Sequence, residues 1–252
     1  MKDQLTMSCI NLHALLQNME ELAEMDMAAA SLVRNTSISI QFKVKAGPEA
    51  LLAIEKGSCR LKHGDGRNDI YLYFTSPEHL NRMFEGKANP IPLKGLTKIS
   101  FLKNEFTKLT DRLTYYLKPN DELLKDPEYL RINTILTANT AFFALTEIGN
   151  NDRIGKMNAG RIPDGDIDIS IKNGGPSLHI TAKNGRLEAF KGPSANPRAI
   201  MSFKNLETAN AMLNGKVDAY TCIATGDVEL KGYIPMLDSM NKLLSQVPEY
   251  LK

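Results

Sequence analysis

The chain has 252 residues, 31 Lys and Arg against 29 Asp and Glu, three cysteines, eleven methionines and no tryptophan. A net charge of +2 with no basic stripe argues against a nucleic-acid surface, and the widely spaced Cys9, Cys59 and Cys222 suit reduced thiols, not a disulfide framework. No apolar run approaches the ~20 residues of a membrane span, and the opening MKDQLTMSC puts an acidic residue where a secretory leader builds its apolar core, so a cytoplasmic location is expected.

From Ser8 to about Asn35 the spacing of Leu12, Leu15, Leu16, Met19 and Leu22 predicts helix, with Asp26 capping a second, shorter one. Ile38, Ile40, Phe42 and Val44 alternate with polar neighbours, as a half-buried strand does. Gly47-Pro48 turns into a strand at Leu52 and Ile54, and Lys56-Gly57 into one around Cys59 and Leu61. His63-Gly64-Asp65-Gly66 reads as a loop before Ile70, Leu72 and Phe74. Four such strands predict an antiparallel meander with one covered face. Ser76-Pro77-Glu78 opens a helix with Leu80, Met83 and Phe84 on its apolar stripe, and Gly86 stops it. Pro90 and Pro92 forbid regular helix next. Leu96 to Phe101 is then expected as a fifth strand and Thr107 to Leu117 as a closing helix.

Lys118-Pro119-Asn120 marks a boundary between units 1–118 and 119–252. Asp126-Pro127 opens a helix expected to reach about Ile148, with Gly149-Asn150-Asn151 ending it. Asp152 mirrors Asp26 and begins a short helix. Strands return at Ile167, Ile169 and Ile171, at Leu178 and Ile180, at Leu187 and Ala189, and from Ile200 to Phe203. Asn184-Gly185 is a hairpin signal. Asn205 caps a helix with Leu206, Ala209, Met212 and Leu213 facing inward, and Gly215 stops it. Asp218 to Ala224 adds a short apolar helix, Asp227 to Lys231 a fifth strand, and Met236 to Val247 the last helix, with Leu237, Met240, Leu243 and Leu244.

The two halves repeat one another. Phe74, Glu78, Asn81, Met83 and Gly86-Lys87 lie opposite Phe203, Glu207, Asn210, Met212 and Gly215-Lys216, about 130 residues later. Gly47-Pro48 likewise lies opposite Gly175-Pro176, and Gly57 opposite Gly185.

The stretch FKNLETANAMLNGKVDAYTCIATGDVELKG, Phe203 to Gly232, resembles the most characteristic part of the sterol carrier protein type two family. The elements that carry the likeness are Phe203, Glu207, the apolar helix Leu206 to Leu213, Gly215-Lys216, a short apolar helix from Tyr220 to Ala224, and a strand ending in Lys231-Gly232. The first half resembles the same family through Phe74, Glu78, Gly86, Lys87 and the strand placed after Gly95. It departs from the pattern at Asn89-Pro90-Ile91-Pro92, where the short helix belongs. The resemblance implies an α+β fold of two tandem units, each a five-stranded, mostly antiparallel sheet covered on one face by helices, with an apolar tunnel between. It also implies non-catalytic binding of a lipid-like molecule: fatty acid, acyl-CoA, sterol or phospholipid. Transient contact with a membrane and a homodimer fit the same picture.

Three function classes are open. A binding module would line its cavity with Met212, Leu213, Tyr220, Ile223, Met236 and Met240 in the second unit, and with Met83, Phe84, Ile91 and Leu96 in the first. The plain alternative for each is ordinary core packing. An enzyme would need a constellation, and none is legible. His13, His63, His79 and His179 fall at no ligand spacing, and no nucleophile elbow, phosphate loop or dinucleotide fingerprint appears. Asp111, Tyr115 and Tyr116 form at most a polar cluster. No metal and no prosthetic group is expected. An interaction scaffold with filled cavities, accessory to a lipid-metabolising enzyme, is the third reading.

Overall fold

The computed structural model describes residues 2–251 and divides into two compact units, Met1–Lys118 and Pro119–Lys252. In the first, α1 (Gln4–Ile10) starts at Asp3, whose carboxylate accepts the Thr6 N–H at 2.8 Å. The helix continues through a wide π turn (Asn11–Leu15) and a 3-10 turn (Leu16–Asn18) into α2 (Met19–Met25). Asp26 then caps α3 (Met27–Val33), accepting the Ala29 N–H at 2.6 Å.

β1 (Ser37–Val44), β2 (Glu49–Glu55) and β3 (Ser58–His63) form an antiparallel meander. β4 (Ile70–Phe74) does not continue it. It returns to the free edge of β1 and pairs there in parallel, Ile40 with Ile70 through Val44 with Phe74. The loop between crosses the sheet to reach that edge. Gln41 on β1 is fully buried; its side chain donates to Gly64 O at 3.1 Å and accepts the Gly66 N–H at 3.2 Å, holding the loop across the sheet.

After β4 come α4 (Pro77–Phe84) and β5 (Ile91–Lys94), the strand antiparallel to β4, giving the order β3-β2-β1-β4-β5. The fifth strand expected at Leu96 to Phe101 is thereby corrected. Pro90 and Pro92 suit the rim of a sheet, where a missing N–H breaks no ladder. The strand therefore precedes Gly95, and the chain beyond that glycine coils: a 3-10 turn (Leu96–Lys98), α5 (Ile99–Phe101), a π turn (Leu102–Phe106) and α6 (Thr107–Leu117).

The second unit repeats the plan. α7 (Pro127–Asn151) is capped by Asp126, and α8 (Arg153–Ala159) by Asp152. α7 runs through Gly149, the residue expected to stop it. A Cβ there would lie 2.7 Å from a Leu187 methyl, so this glycine serves close packing and not termination. β6 (Gly165–Ile171), β7 (Ser177–Lys183) and β8 (Arg186–Lys191) form the meander, and β9 (Ala199–Phe203) pairs in parallel with β6. α9 (Leu206–Leu213), α10 (Ala219–Ala224) and β10 (Val228–Gly232) come next. The order β10-β9-β6-β7-β8 is that of the first sheet. The last helix divides into α11 (Ile234–Leu244) and α12 (Val247–Leu251), the break falling just before Pro248, whose ring cannot continue a hydrogen-bonded turn.

Each sheet buries one face. Ile40, Phe42, Leu52, Ile54, Ile70 and Phe74 line it in the first unit; Ile167, Ile169, Ile180, Ala199 and Phe203 do so in the second. The rim strand on the meander side is blunted by a side chain from the preceding helix. Glu20 on α2 accepts the Leu61 N–H of β3 at 2.7 Å. Asn150 on α7 brackets Leu187 of β8, accepting its N–H at 2.9 Å and donating to its carbonyl at 2.7 Å.

Candidate functional site

The helix that closes the opposite end of each sheet is built identically in both units. Ser76 caps α4 through the His79 N–H at 3.1 Å, and Asn205 caps α9 through the Thr208 N–H at 2.9 Å. Both helices end in a Schellman turn. The Gly86 N–H bonds Met83 O at 2.9 Å and the Lys87 N–H bonds Arg82 O at 2.8 Å; Gly215 and Lys216 do the same with Met212 and Ala211 at 3.0 and 2.8 Å. The two glycines have φ of 72° and 71°, a region that costs an L side chain about 1 kcal/mol or more.

A buried asparagine pins each of these helices to the first helix of its unit. Asn81 donates to the Gln4 carbonyl at 3.0 Å and its side-chain oxygen at 2.8 Å, and accepts from Asn11 at 3.0 Å. Asn210, at the matching position, donates to Asn133 at 2.5 Å and Thr134 at 2.9 Å, and accepts from Asn214 at 3.1 Å. Both are 4 % exposed, so each bond forms away from water, where an unmade one costs about 1–3 kcal/mol.

The closing helix is tied down by a second repeated device. The caps of α3 and α8 each use one carboxylate oxygen for the helix and offer the other to a tyrosine hydroxyl. Tyr116 bonds Asp26 and Tyr250 bonds Asp152, each at 2.8 Å. In the first unit Arg112 joins the same carboxylate and lies 4.8 Å from the centroid of Tyr115. Burial pushes the Asp26 carboxyl up, but Arg112, the Ala29 N–H and Tyr116 outweigh it and hold it below the usual carboxylate value. The Tyr116 hydroxyl is pushed up by burial and by the Asp26 charge. The polar cluster expected around Asp111 therefore centres on Asp26, a partner no local sequence pattern could supply.

The sequence-selected apolar residues fall into three sets. Met236 and Met240 on α11 are fully buried. Met212 and Leu213 on α9, and Met83 on α4, are half-buried. The rest lie outside: Tyr220 is 76 % and Ile223 38 % exposed on α10, while Phe84, Ile91 and Leu96 are 38 %, 40 % and 66 % exposed. Five elements assemble the second unit's set. α10 packs on β10 and α9, and α11 packs on β9 and β10. Of the six residues of α10 only Cys222 is buried. The methionines of α11 are thus interior, while α10 is a short, mostly exposed helix. The first unit has no counterpart of α10: α4 is followed by β5, which takes the sheet position that β10 takes in the second.

Polar features lie elsewhere. A cleft of about 310 Å³ at the start of α4 is lined by Thr75, Ser76, Glu78, His79, Arg82 and Ala88 and shares no residue with the apolar set. His79 closes one side of it, Nδ1 accepting the Thr75 N–H at 3.2 Å and Nε2–H donating to Asn89 O at 2.8 Å. His13, carried on the π turn, stacks on His63 at 3.9 Å. Among the described residues no group of three or more His, Cys, Asp or Glu is gathered as a metal ion needs. Cys9, Cys59 and Cys222 are free and buried; burial, then the charge of Glu20, pushes the Cys59 thiol up to about 12. No described helix is long and apolar enough to cross a membrane.

The chain matches no family model and no curated protein. Among solved structures it is similar to sterol carrier protein 2 domains. The UbiJ-SCP2 ubiquinone synthesis protein is 14% identical, covering 44% of this chain and 95% of its own, with a TM-score of 0.36. Sterol carrier protein domain 2 of Helicoverpa armigera is 18% identical over 52% of this chain and 94% of its own, with a TM-score of 0.34. Sterol carrier protein 2 from Yarrowia lipolytica, in its apo form, is 18% identical over 44% and 91%, also with a TM-score of 0.34.

Proposed function

We propose that the second unit binds a lipid-like ligand, a fatty acid, acyl-CoA, sterol-like molecule or phospholipid, reversibly and without chemistry. The ligand would lie between the sheet and the helices α9 to α11. One observation carries this reading: α10, packed on β10 and α9, has one buried side chain, and the apolar lining on offer beside it is half-buried Met212 and Leu213 of α9 with buried Met236 and Met240 of α11. Methionine is unbranched and polarizable, so such a wall can repack around a guest at small cost. A six-residue helix with Tyr220 largely in solvent and Ile223 partly so has little holding it shut.

The energetics favour an oily guest. Each buried methylene contributes roughly 0.8 kcal/mol, so a chain of about 16 carbons supplies on the order of 10 kcal/mol before ordering costs. Few polar anchors are then needed, and selectivity among lipids is broad. No metal or prosthetic group enters this scheme. The test is native mass spectrometry of the purified chain, with titration of a fluorescent fatty acid. Co-purifying lipid or saturable binding supports the reading. Neither, in both experiments, leaves a filled interior and a scaffold role beside a lipid-metabolising enzyme.

A further inference from the structure

The first unit differs from the second at the same place, and the difference is chemical. Between Arg82 and Lys108 it carries six basic residues against two acidic ones, while the matching stretch of the second unit, 211–242, carries three against four. The whole chain has an excess of only +2, so this one stretch holds more positive charge than the molecule's total excess. Its basic side chains, Arg82, Lys87, Lys94, Lys98, Lys103 and Lys108, are all exposed. Interleaved with them are apolar side chains left in solvent: Leu93 is 62 % and Leu96 66 % exposed, and Phe84 and Ile91 about two-fifths.

We infer that β5 and the coil after it dock onto an anionic lipid bilayer. Exposed leucines that can enter the acyl boundary, interleaved along the chain with exposed lysines that can reach the headgroups, are the pattern of an interfacial anchor. Lys87 pairs with Glu85 at 2.7 Å and Lys98 with Asp69 at 2.6 Å, but surface pairs of this kind are weak and yield to a charged membrane. A protein strand is a poorer occupant of this rim. Pro90 and Pro92 remove N–H groups that a pairing strand would need. The rim is also firmly placed. Gly95, at φ 85°, lets the chain pass where a Cβ would meet Asp69 O at 2.6 Å, so Leu93 and Leu96 flank a fixed bend.

The test is co-sedimentation of the full chain with vesicles of equal parts phosphatidylcholine and phosphatidylglycerol, against phosphatidylcholine alone. Partitioning onto the anionic vesicles should be stronger by about ten-fold or more, and should fall in roughly 0.5 M salt. Leu93→Ser/Leu96→Ser should lower it by about ten-fold or more. Both leucines are over three-fifths exposed, so the melting temperature should hold. Lys103→Glu/Lys108→Glu, which reverses two charges and leaves the leucines in place, should weaken binding to anionic vesicles and leave the weak binding to neutral ones. Tyr233→Ser/Ile234→Ser, at the matching rim of the second unit, should change nothing. Equal binding to both vesicle types, no binding to either, or a leucine variant that binds like the parent overturns the inference. Fatty-acid titration without vesicles should be the same in the parent and in the leucine and lysine variants, which separates failure here from failure of the ligand reading.

Discussion

The two units share a sheet order, a pinned helix, a Schellman stop and a tyrosine-tied closing helix, yet they part between that stop and the rim strand. After Gly215 the second unit inserts α10 between α9 and its rim strand; after Gly86 the first goes to its rim strand through two prolines. The copies hold in common the frame that fixes a helix against a sheet. They differ beside the rim strand, where one carries the short, mostly exposed α10 and the other a basic stretch with two prolines. Duplication has kept the scaffold and let the rim diverge, which is where binding differences are expected to collect.

The sharpest way to break the parallel is at the two aspartate caps. Asp26→Ala removes a helix cap and takes the carboxylate from the Arg112 guanidinium, and should cost about 3 kcal/mol in urea denaturation, Arg112 being one-third exposed. Asp152→Ala loses the cap and one tyrosine bond, and should cost about 1–2 kcal/mol. The acid limb adds a sign. Because the folded carboxyl of Asp26 is held below its ordinary value, its contribution is present above the unfolded value and is lost as pH falls through the folded one. Asp26→Asn should therefore flatten the loss of stability below about pH 4.

The asparagine pins offer a test of sameness instead. Asn81→Ala and Asn210→Ala should each cost about 2 kcal/mol, since each removes several buried bonds at the same point of the fold. A large disparity in their denaturation midpoints would mean that the two helices are held by different means. Smaller again is Gly215→Val. With open space around its Cβ position, the variant meets only the left-handed backbone, and should lower stability by about 1 kcal/mol. An unchanged melting point would count against the cap.

Much of this frame was legible because it rests on local rules. Alternation of Ile38, Ile40, Phe42 and Val44 wrote β1, Asn184-Gly185 wrote its hairpin, and Ser76-Pro77 and Gly86 bounded α4. The repeat emerged from matching those marks. The misses were long-range. Nothing near β4 says that it pairs with β1, because its partner strand and the Gln41 side chain that holds the intervening loop lie some thirty residues earlier. Gly149 has the look of a stop, and only contact with Leu187 shows it to be a packing residue. The strand before Gly95 was hidden because prolines usually argue against strands, and the rim exception depends on knowing which strand is at the rim. The apolar site set rests on residue type, and burial divides it between interior, half-covered wall and surface.

The measurement that bears most directly on the ligand reading is a fluorescent fatty-acid titration of three proteins: the parent, Met212→Trp and Met83→Trp. Both methionines are half-buried at matching positions, so the two variants differ only in which unit receives the extra bulk. A single saturable site in the parent, weakened about ten-fold by Met212→Trp and unaltered by Met83→Trp, is the predicted result. No saturable binding in the parent, or equal binding by all three proteins, would contradict it.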